Sequence, residues 1–575
     1  MFKSIIIELL VEETKLHVDE VTKLLESPPK LEMGDFSFPC FQFANPAKDD
    51  EMWKNVEHDF FKRKNPTDIA KHFTDQINNK KLPKEIEKVE AKGPYVNFFI
   101  NKKLLAQKII KINSNYGKGK EKGKILTEFC HANTHKAFHI GHTRNITLGE
   151  SISRVLEFQG YKVIRTNFQG DVGMHIAKTL WGLKHLKELG LETPKENKGN
   201  WLGIVYAKAA NAGKDESIAE EINLINQKLY AGDKELTKLW KETRQWSIDY
   251  FEKVVYPDFG VKFDRFYFES EVEKKGSKIA KALLEKGIAK RSQGAIIMDL
   301  RKYNLDIYLI LKSDNTPLYS TKDLYLAELQ NKEYKPDRIL HIVASEQNFY
   351  FQQLIKTLEI TKPEIGNKEE HVSYELVITP TGKMASREGI VALYEDTIKK
   401  ITKVAKKNLL SRNNKIPKKE LEKKAKTIAL AAIKYSMISQ GPNKTITFNE
   451  KEAISFEGNT GPYLQYSYAR ASSILKKAKG KKPLEIPTNL TKEELQLLSQ
   501  ISKFPVTVEQ ASKLMNPALI ANYSHQLAQY FNEFYHANPV IGSKEESFRL
   551  KLIDAFRTTL KNALYLLGIE VMEEM

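Results

Sequence analysis

Apolar positions recur at helical spacing near the start of the chain, at Ile5, Leu9, Leu10, Leu16, Val21, Leu24 and Leu25. An aromatic stretch punctuated by Gly34 and Pro39 follows, and the run PYVNFFI at 94–100 has the length and aromatic content of a strand. Helices followed by strands predict a small α+β domain over 1–112. Residues 115–124, NYGKGKEKGK, have no apolar periodicity and read as a linker. Beyond it come strand-like KILTEFC, a loop, a long amphipathic helix, Gly160 and strand-like YKVIRT. That order is a βαβ unit with a right-handed crossover and predicts a doubly wound α/β domain over 120–395. Long helical patterns from about 176, followed by IIMDL and DIYLILKS, read as an insertion at 176–300 interrupting the parallel sheet. Strand signals resume at 338–344 and 374–379, and from 396 to 575 the pattern is almost wholly helical. A third, all-α domain is therefore expected.

At 575 residues the chain exceeds the roughly 250–300 at which one core stops growing, in keeping with several domains. The 41% hydrophobic and 29% charged residues suit packed cores and exclude a disordered chain. Lys and Arg number 91 against 73 Asp and Glu, and the resulting +18 suits a polyanionic partner. A Lys-rich composition that merely solvates the surface produces the same excess, so charge alone does not choose. Two cysteines, Cys40 and Cys130, build no disulfide framework and sit in no zinc-ligand spacing, so no structural metal is expected. No segment approaches roughly 18 consecutive apolar residues, and Glu8 interrupts the N-terminal apolar run. The expectation is a cytoplasmic protein with no membrane segment.

Two segments carry candidate chemistry. His139-Ile140-Gly141-His142 lies where a strand hands over to a helix, the place where phosphates meet helix amides in doubly wound sheets. Gly141 would permit close approach of a nucleotide, and His139 and His142 at i and i+3 share a face from which both can donate to phosphate. Alone, such a pair is more often a solvated helix turn. Far downstream, YELVITPTGKMASREG places Lys383 and Met384 on a Gly-flanked loop after a strand. A cation there can close over a triphosphate and neutralise charge that develops at phosphorus.

Together these segments make up the signature of class I aminoacyl-tRNA synthetases, and the chain resembles the arginyl-tRNA synthetases over essentially its whole length. HANTHKAFHIGHTRNITLGE is similar to that family's substrate loop, GDVG follows in register, and EGNTGPYLQYSYARASSIL resembles the opening of its helical anticodon-binding domain. The resemblance implies a Rossmann-like catalytic domain with an insertion, an N-terminal α+β domain meeting the tRNA elbow, and an anticodon-binding domain over 396–575. It implies ligation of L-arginine to tRNA(Arg) through an arginyl-adenylate, with ATP and Mg2+ as the substrate complex and a monomeric enzyme. MASREG departs from the usual Lys-Met-Ser-Lys-Ser pattern; Lys136, just before His139, fits the role of the missing second lysine. His175 stands where many members carry Gln.

The resemblance assigns His139, His142, Lys136 and Lys383 to catalysis, and His139, Gly141, His142, Lys383 and Met384 to ATP. An arginine pocket needs acids projecting from the ends of parallel strands, because a guanidinium is planar, permanently charged and best held by carboxylates. Glu128 fits, lying in an otherwise apolar strand where a carboxylate demands a cationic partner; a structural Lys would serve equally. Asn133 resembles the residue holding the α-amino group, and Gln347 a further pocket residue. Tyr319 and Asp323 at i and i+4 are placed to flank one guanidinium, although Ser320-x-x-Asp323 also reads as a helix cap. For RNA, Tyr463, Tyr468 and Arg470 suit stacking on unpaired bases, and Phe36, Phe38 and Gln42 are expected at the tRNA elbow; such stripes are commonly core instead.

Overall fold

The computed structural model describes residues 2–26, 28, 31–44, 65–380, 382, 392–478 and 483–575. Two compact units divide the chain. Met1–Tyr116, Ser473–Phe504 and Gln526–Thr559 form one, and Gly117–Ser472, Pro505–His525 and Leu560–Met575 the other.

In the first unit, strands β1 (Phe36–Pro39), β2 (Ile86–Lys92) and β3 (Tyr95–Ile100) form an antiparallel sheet in the order β1-β3-β2. Gly93, at φ +57°, turns the chain between β2 and β3. Helix Pro66–Asn78 starts from an Asn65 cap with Pro66 in its first turn, and buries Ile69, Phe73 and Ile77 on the side facing β2 and β3. The expected α+β arrangement is present.

The second unit is organised by a five-stranded parallel sheet of β4 (Lys124–Glu128), β5 (Lys162–Gln169), β6 (Arg265–Phe268), β10 (Arg338–Ala344) and β11 (Glu369–Tyr374), in the order β11-β10-β4-β5-β6. β4 lies at the centre. The chain first winds to one side through β5 and β6, then returns to the other through β10 and β11, so the switch point lies between the C-terminal ends of β4 and β10. In doubly wound sheets that crevice is where ligands bind.

The apolar runs at 295–299 and 307–311 lie outside the parallel sheet, as β8 and β9 of an antiparallel meander with β7 (Lys290–Ser292). Ile296, Tyr308 and Ile310 of that meander pack with Ala280, Leu324 and Leu354 from the flanking helices. The run at 374–379 is broken: β11 lies upstream of it, and Val377–Ile378 pairs instead with Ile446–Thr447. β11 escapes an apolar reading because it contains Glu369, Glu370 and His371.

Helices Met174–Lys184, Lys198–Ala212, Glu216–Tyr230 and Lys234–Tyr250 lie between β5 and β6. Asp171, fully buried in the GDVG turn after β5, ties the last of them to the start of helix Glu269–Glu285. Its carboxylate accepts from Arg244 at 2.7 Å, from the Ser270 amide at 2.9 Å and from the Ser270 hydroxyl at 2.7 Å, while its carbonyl accepts from Trp240 Nε1 at 2.7 Å. A charge with four polar contacts around its residue is tolerable at zero exposure.

Helices Glu269–Glu285 and Tyr319–Tyr334 approach closely because Gly276 presents no side chain: a Cβ there would lie 2.0 Å from the Thr321 carbonyl oxygen. Gly276→Ala gains up to about 1 kcal/mol in helix propensity, yet a clash with backbone cannot relax by a rotamer change. The expected net effect is a loss of about 1–3 kcal/mol in chemical denaturation, and unchanged stability would show that the helices need no such contact.

Candidate active site

The helix after β4, Ile140–Phe158, begins at His139, whose extended backbone (φ −128°, ψ 171°) makes it the N-cap. Its Nδ1 accepts from the amides of Gly141 at 3.2 Å and His142 at 3.4 Å, and His142 Nδ1 accepts in return from the His139 amide at 3.3 Å. The two rings stack at 3.7 Å with planes 20° apart. Burial, then the nearby Lys136 ammonium, lowers the His139 pKa to about 4, and burial with the His139 charge pushes His142 well below its ordinary value. Both imidazoles are therefore neutral at pH 7. Because each Nδ1 accepts, the proton of each ring sits on Nε2.

This modifies the expectation of a phosphate resting on helix amides. The Ile140 amide donates to the Ala392 carbonyl at 3.0 Å, and the next two amides are taken by His139. Among the described residues, the donors left at this helix end are the ring Nε2 atoms. Gly141 has a matching reason to be glycine: a Cβ would stand 3.0 Å from His139 Cε1 and crowd the folded-back ring.

Lys136 is half-buried with its ammonium over the Tyr206 ring at 5.2 Å, and burial lowers its pKa. Its charge acts on His139, on His175 and on Glu269, so it is felt both by the histidine pair and by one of the acidic groups considered next. His175 Nε2 lies 3.3 Å from the Gly170 carbonyl, with its pKa lowered to about 3 by burial and Lys136.

Lys383 and Met384 lie outside the described residues. The described residues beyond them are tied to the start of the 140–158 helix, since Tyr394 N donates to Phe138 O at 3.0 Å and Leu393 bridges His139. Arg144, 1% exposed, donates to the carbonyls of Leu376, Pro442 and Lys444 at 3.0–3.2 Å. Both approaches to the 383–391 segment are thus anchored to one helix.

At the switch point lies a cavity of about 290 Å³ whose lining includes Glu128, Asn133, Tyr319, Asp323 and Gln347, together with His341, Tyr350 and Glu369. All five residues proposed for the arginine pocket meet here. Four carboxylates line it, from Glu128, Glu269, Asp323 and Glu369, together with apolar side chains including Phe168, Leu326 and Val343.

Glu128 ends β4 directly opposite His341 in β10. His341 Nδ1 lies 3.0 Å from Glu128 Oε1 and its Nε2 2.6 Å from Glu369 Oε2, while Gln330 donates to Glu128 Oε2. Burial opposes charging the ring, but the two carboxylates outweigh it and raise its pKa well above the ordinary value. Burial likewise pushes Glu128 up; His341 overcomes this and holds it below the usual carboxylate range. The cationic partner demanded by Glu128 is therefore an imidazolium, not a lysine, and both Glu128 oxygens already have donors.

Asp323 differs. The helix Tyr319–Tyr334 is capped at Leu318, whose amide donates to the Thr321 hydroxyl at 2.9 Å, and Ser320 donates to the Leu309 carbonyl at 2.6 Å. Asp323 takes no part in the cap. Tyr350 donates to its Oδ2, and its buried Oδ1 has no partner among the described residues. Burial, partly offset by Tyr350, raises its pKa to about 7. Tyr319 is 65% exposed with Lys322 Nζ 5.8 Å from its ring centre. Lys322 pairs with Glu269 at 2.8 Å inside the protein. Asn133 Oδ1 accepts from the Gly170 amide at 3.2 Å, and Gln347 is an exposed residue immediately before helix Asn348–Thr361.

Two RNA expectations need correction. Phe38 is fully buried among core aromatics of the first unit, and Tyr468 is 2% exposed with its hydroxyl on Glu573 at 2.9 Å. Neither ring offers a face to a base. Phe36 is half-buried opposite Phe98, and Gln42 half-buried in helix Phe41–Ala44, where the exposed side chain is Phe41. Tyr463 is half-buried beside His525, ring centres 5.6 Å apart. Arg470 stacks on Tyr466 at 4.7 Å, and Arg412 lies 5.4 Å from the same ring.

Comparison with known proteins bears on this geometry. The model for the catalytic domain of class I (R) tRNA synthetases matches residues 104–449, the arginyl-tRNA synthetase N-terminal domain model matches 2–100, and the DALR anticodon-binding domain model matches 464–575. The chain belongs to the arginyl-tRNA synthetase family. Arginine–tRNA ligases of Clostridium perfringens and Clostridium acetobutylicum are each 34% identical over 588 residues, covering 100% of both chains. The Thermus thermophilus arginyl-tRNA synthetase structure superposes with a TM-score of 0.81 at 26% identity, covering 96% of each chain. As a synthetase, the chain has the class I catalytic domain, N-terminal domain and helical C-terminal domain read from its sequence. No helix among the described residues is long and apolar enough to cross a membrane.

His341, Tyr350, Glu369 and Glu269 were missed in the sequence. His341 and Glu128 are 213 residues apart, and only strand pairing brings them together. Its charged, buried position has a measurable cost when broken. His341→Leu leaves Glu128 and Glu369 buried without their shared cation, and the expected loss is about 3–5 kcal/mol in urea unfolding. Adding Glu128→Gln should recover part of that loss; an additive double variant would show that the two do not interact.

Proposed function

We propose that this synthetase ligates L-arginine to tRNA(Arg), and that the switch-point cavity holds the arginine side chain with Asp323 as its principal anion. The observation that carries the reading is the Asp323 oxygen without a partner among the described residues, in a cavity also lined by Glu128, Asn133, Tyr319 and Gln347. A guanidinium entering there meets Asp323 directly, while Glu128, already engaged by His341, contributes field rather than a free oxygen. Tyr319 flanks the entrance, and Asn133 and Gln347 meet the polar end of the amino acid.

In the first step the arginine carboxylate attacks the α-phosphorus of ATP and pyrophosphate leaves; in the second the arginyl group passes from the adenylate to a terminal ribose hydroxyl of tRNA. The protein's part is alignment and electrostatic stabilisation. His139 and His142 donate from Nε2 to phosphate oxygens with Gly141 beneath them, Lys136 supplies the cation nearest the α-phosphate, and Lys383 with Met384 closes from the second signature segment. Magnesium is proposed as the chelate of ATP, with phosphate oxygens as its ligands. We assign 1–112 to the tRNA elbow through Phe36 and Gln42, 120–395 to catalysis with its insertion at 176–300, and 396–575 to the anticodon, with Tyr463 and Arg470 as candidate contacts. A monomeric, cytoplasmic enzyme completes the reading.

Asp323→Asn should raise the KM for arginine at least about tenfold, by loss of a charge-assisted hydrogen bond, while the KM for ATP stays within about twofold. Arginine-dependent pyrophosphate–ATP exchange with tRNA present measures both, and an unchanged arginine KM would reject the assignment. The pH dependence has a defined sign. A carboxyl with a folded pKa near 7 is protonated below it, so arginine affinity should rise with pH through 7, while the stability of the ligand-free protein falls as pH rises from about 4 through 7. Both slopes should flatten in Asp323→Asn. Lys136→Met should depress adenylate formation more than arginine affinity, and equal loss in both would place Lys136 in substrate binding only.

A further inference from the structure

A second cavity, of about 500 Å³, is built within the second unit from helix Lys418–Ile438, the Pro257–Gly260 turn and the C-terminal residues from Lys561 to Val571. Five cations line it, Arg154, Lys423, Lys426, Lys434 and Lys561, against two acids, Asp258 and Glu570. One acid is already spent, since Asp258 accepts from Lys426 at 2.6 Å and from the Tyr394 hydroxyl at 2.8 Å. Arg154 is held by Glu150 at 2.7 Å and by the carbonyls of Tyr565 and Gly260. Lys423 and Lys561 are exposed at the lining, with no ion pair among the described residues.

Lys434 is the unusual member. It is 6% exposed, and its ammonium donates to a neutral group, the Gly568 carbonyl, at 2.8 Å. A buried ammonium without a carboxylate partner is costly, and the cost falls when an anion enters beside it. Burial accordingly lowers its pKa to about 7. The cavity also has a stacking surface: Tyr565 is 49% exposed, with the Arg154 guanidinium 4.8 Å from its ring centre. Leu430, Ala431 and Ile569 supply an apolar side. A flat ring on an aromatic and a phosphate among lysines are the two halves of nucleotide recognition.

We propose that this cavity binds one nucleotide, its base against Tyr565 and its phosphate between Lys434, Lys423 and Lys561. The same chemistry is offered by a free mononucleotide or by one residue of bound tRNA, and the second source rests on the synthetase reading above.

The test uses the full-length protein, with the catalytic site filled by a non-hydrolysable arginyl-adenylate analogue. AMP is then titrated by calorimetry, and tRNA binding is followed against salt. Lys423→Gln/Lys561→Gln and Tyr565→Ala alter exposed side chains, and thermal melting checks that they fold. AMP binding once per chain, lost in the variants, supports a free nucleotide. Without AMP binding, the tRNA source is supported if the double variant reduces the slope of log affinity against log salt by about 2 and Tyr565→Ala weakens tRNA binding at least about fivefold. If neither AMP nor tRNA binding responds, the proposal is overturned. Arginine-dependent exchange in the unmodified protein separates the two readings: its presence with unresponsive variants rejects this cavity alone, whereas its absence rejects the synthetase reading and leaves the AMP arm to judge the cavity.

Discussion

A single imidazolium between two carboxylates sets the electrostatics on which the candidate active site depends. Glu128, His341 and Glu369 come from three adjacent parallel strands and share one face at the switch point. Without the ring, two buried carboxylates would face each other across β10, and at least one would take a proton. With it, the group carries one net negative charge held in fixed geometry. The cavity can then be strongly acidic without its acids being neutralised by each other.

That arrangement divides labour among acids that look alike in sequence. Glu128 and Glu369 spend oxygens on His341, and Glu269 spends one on Lys322. Asp323 keeps an oxygen without a partner among the described residues and so bears the desolvation cost, visible as its raised pKa. An incoming guanidinium recovers that cost, which is why a planar permanent cation suits this place better than a neutral side chain. The histidine pair follows the opposite logic. Two charged rings 3.7 Å apart would repel by about 4 kcal/mol at an effective dielectric of 20, so the stack requires neutral rings and leaves Lys136 as the local positive charge.

Much of this was legible before the fold was known, because its signals are local. The βαβ order at 124–169, the His-x-Gly-His helix start and the acids near strand and helix ends are each readable within one element. What was not legible depends on pairing between distant elements. Tyr350 could be read only as a helix residue until Asp323 was placed beside it, and β11 was hidden because it opens with Glu369, Glu370 and His371. Burial decided the RNA candidates in the same way: Phe38 and Tyr468 carry the aromatic pattern of a stacking surface, and packing turns both inward. Aromatic spacing reports a helix or strand face but not which face is covered.

The two ends of the reaction carry opposite charge demands, and the fold meets them with one helix. An acidic cavity that attracts arginine also repels ATP, and four carboxylates near a triphosphate would slow the chemistry if nothing intervened. The 140–158 helix carries no acid in its first turn. Its capping rings are kept neutral, its N-terminal amides are already satisfied, and Lys136 stands where its charge is felt by both His139 and Glu269. Arg144 on the same helix holds the chain just before each of the paired strands Val377–Ile378 and Ile446–Thr447, through the carbonyls of Leu376, Pro442 and Lys444. Carbonyl contacts constrain the backbone without consuming a carboxylate, so the helix holds these segments without drawing on the acids of the cavity.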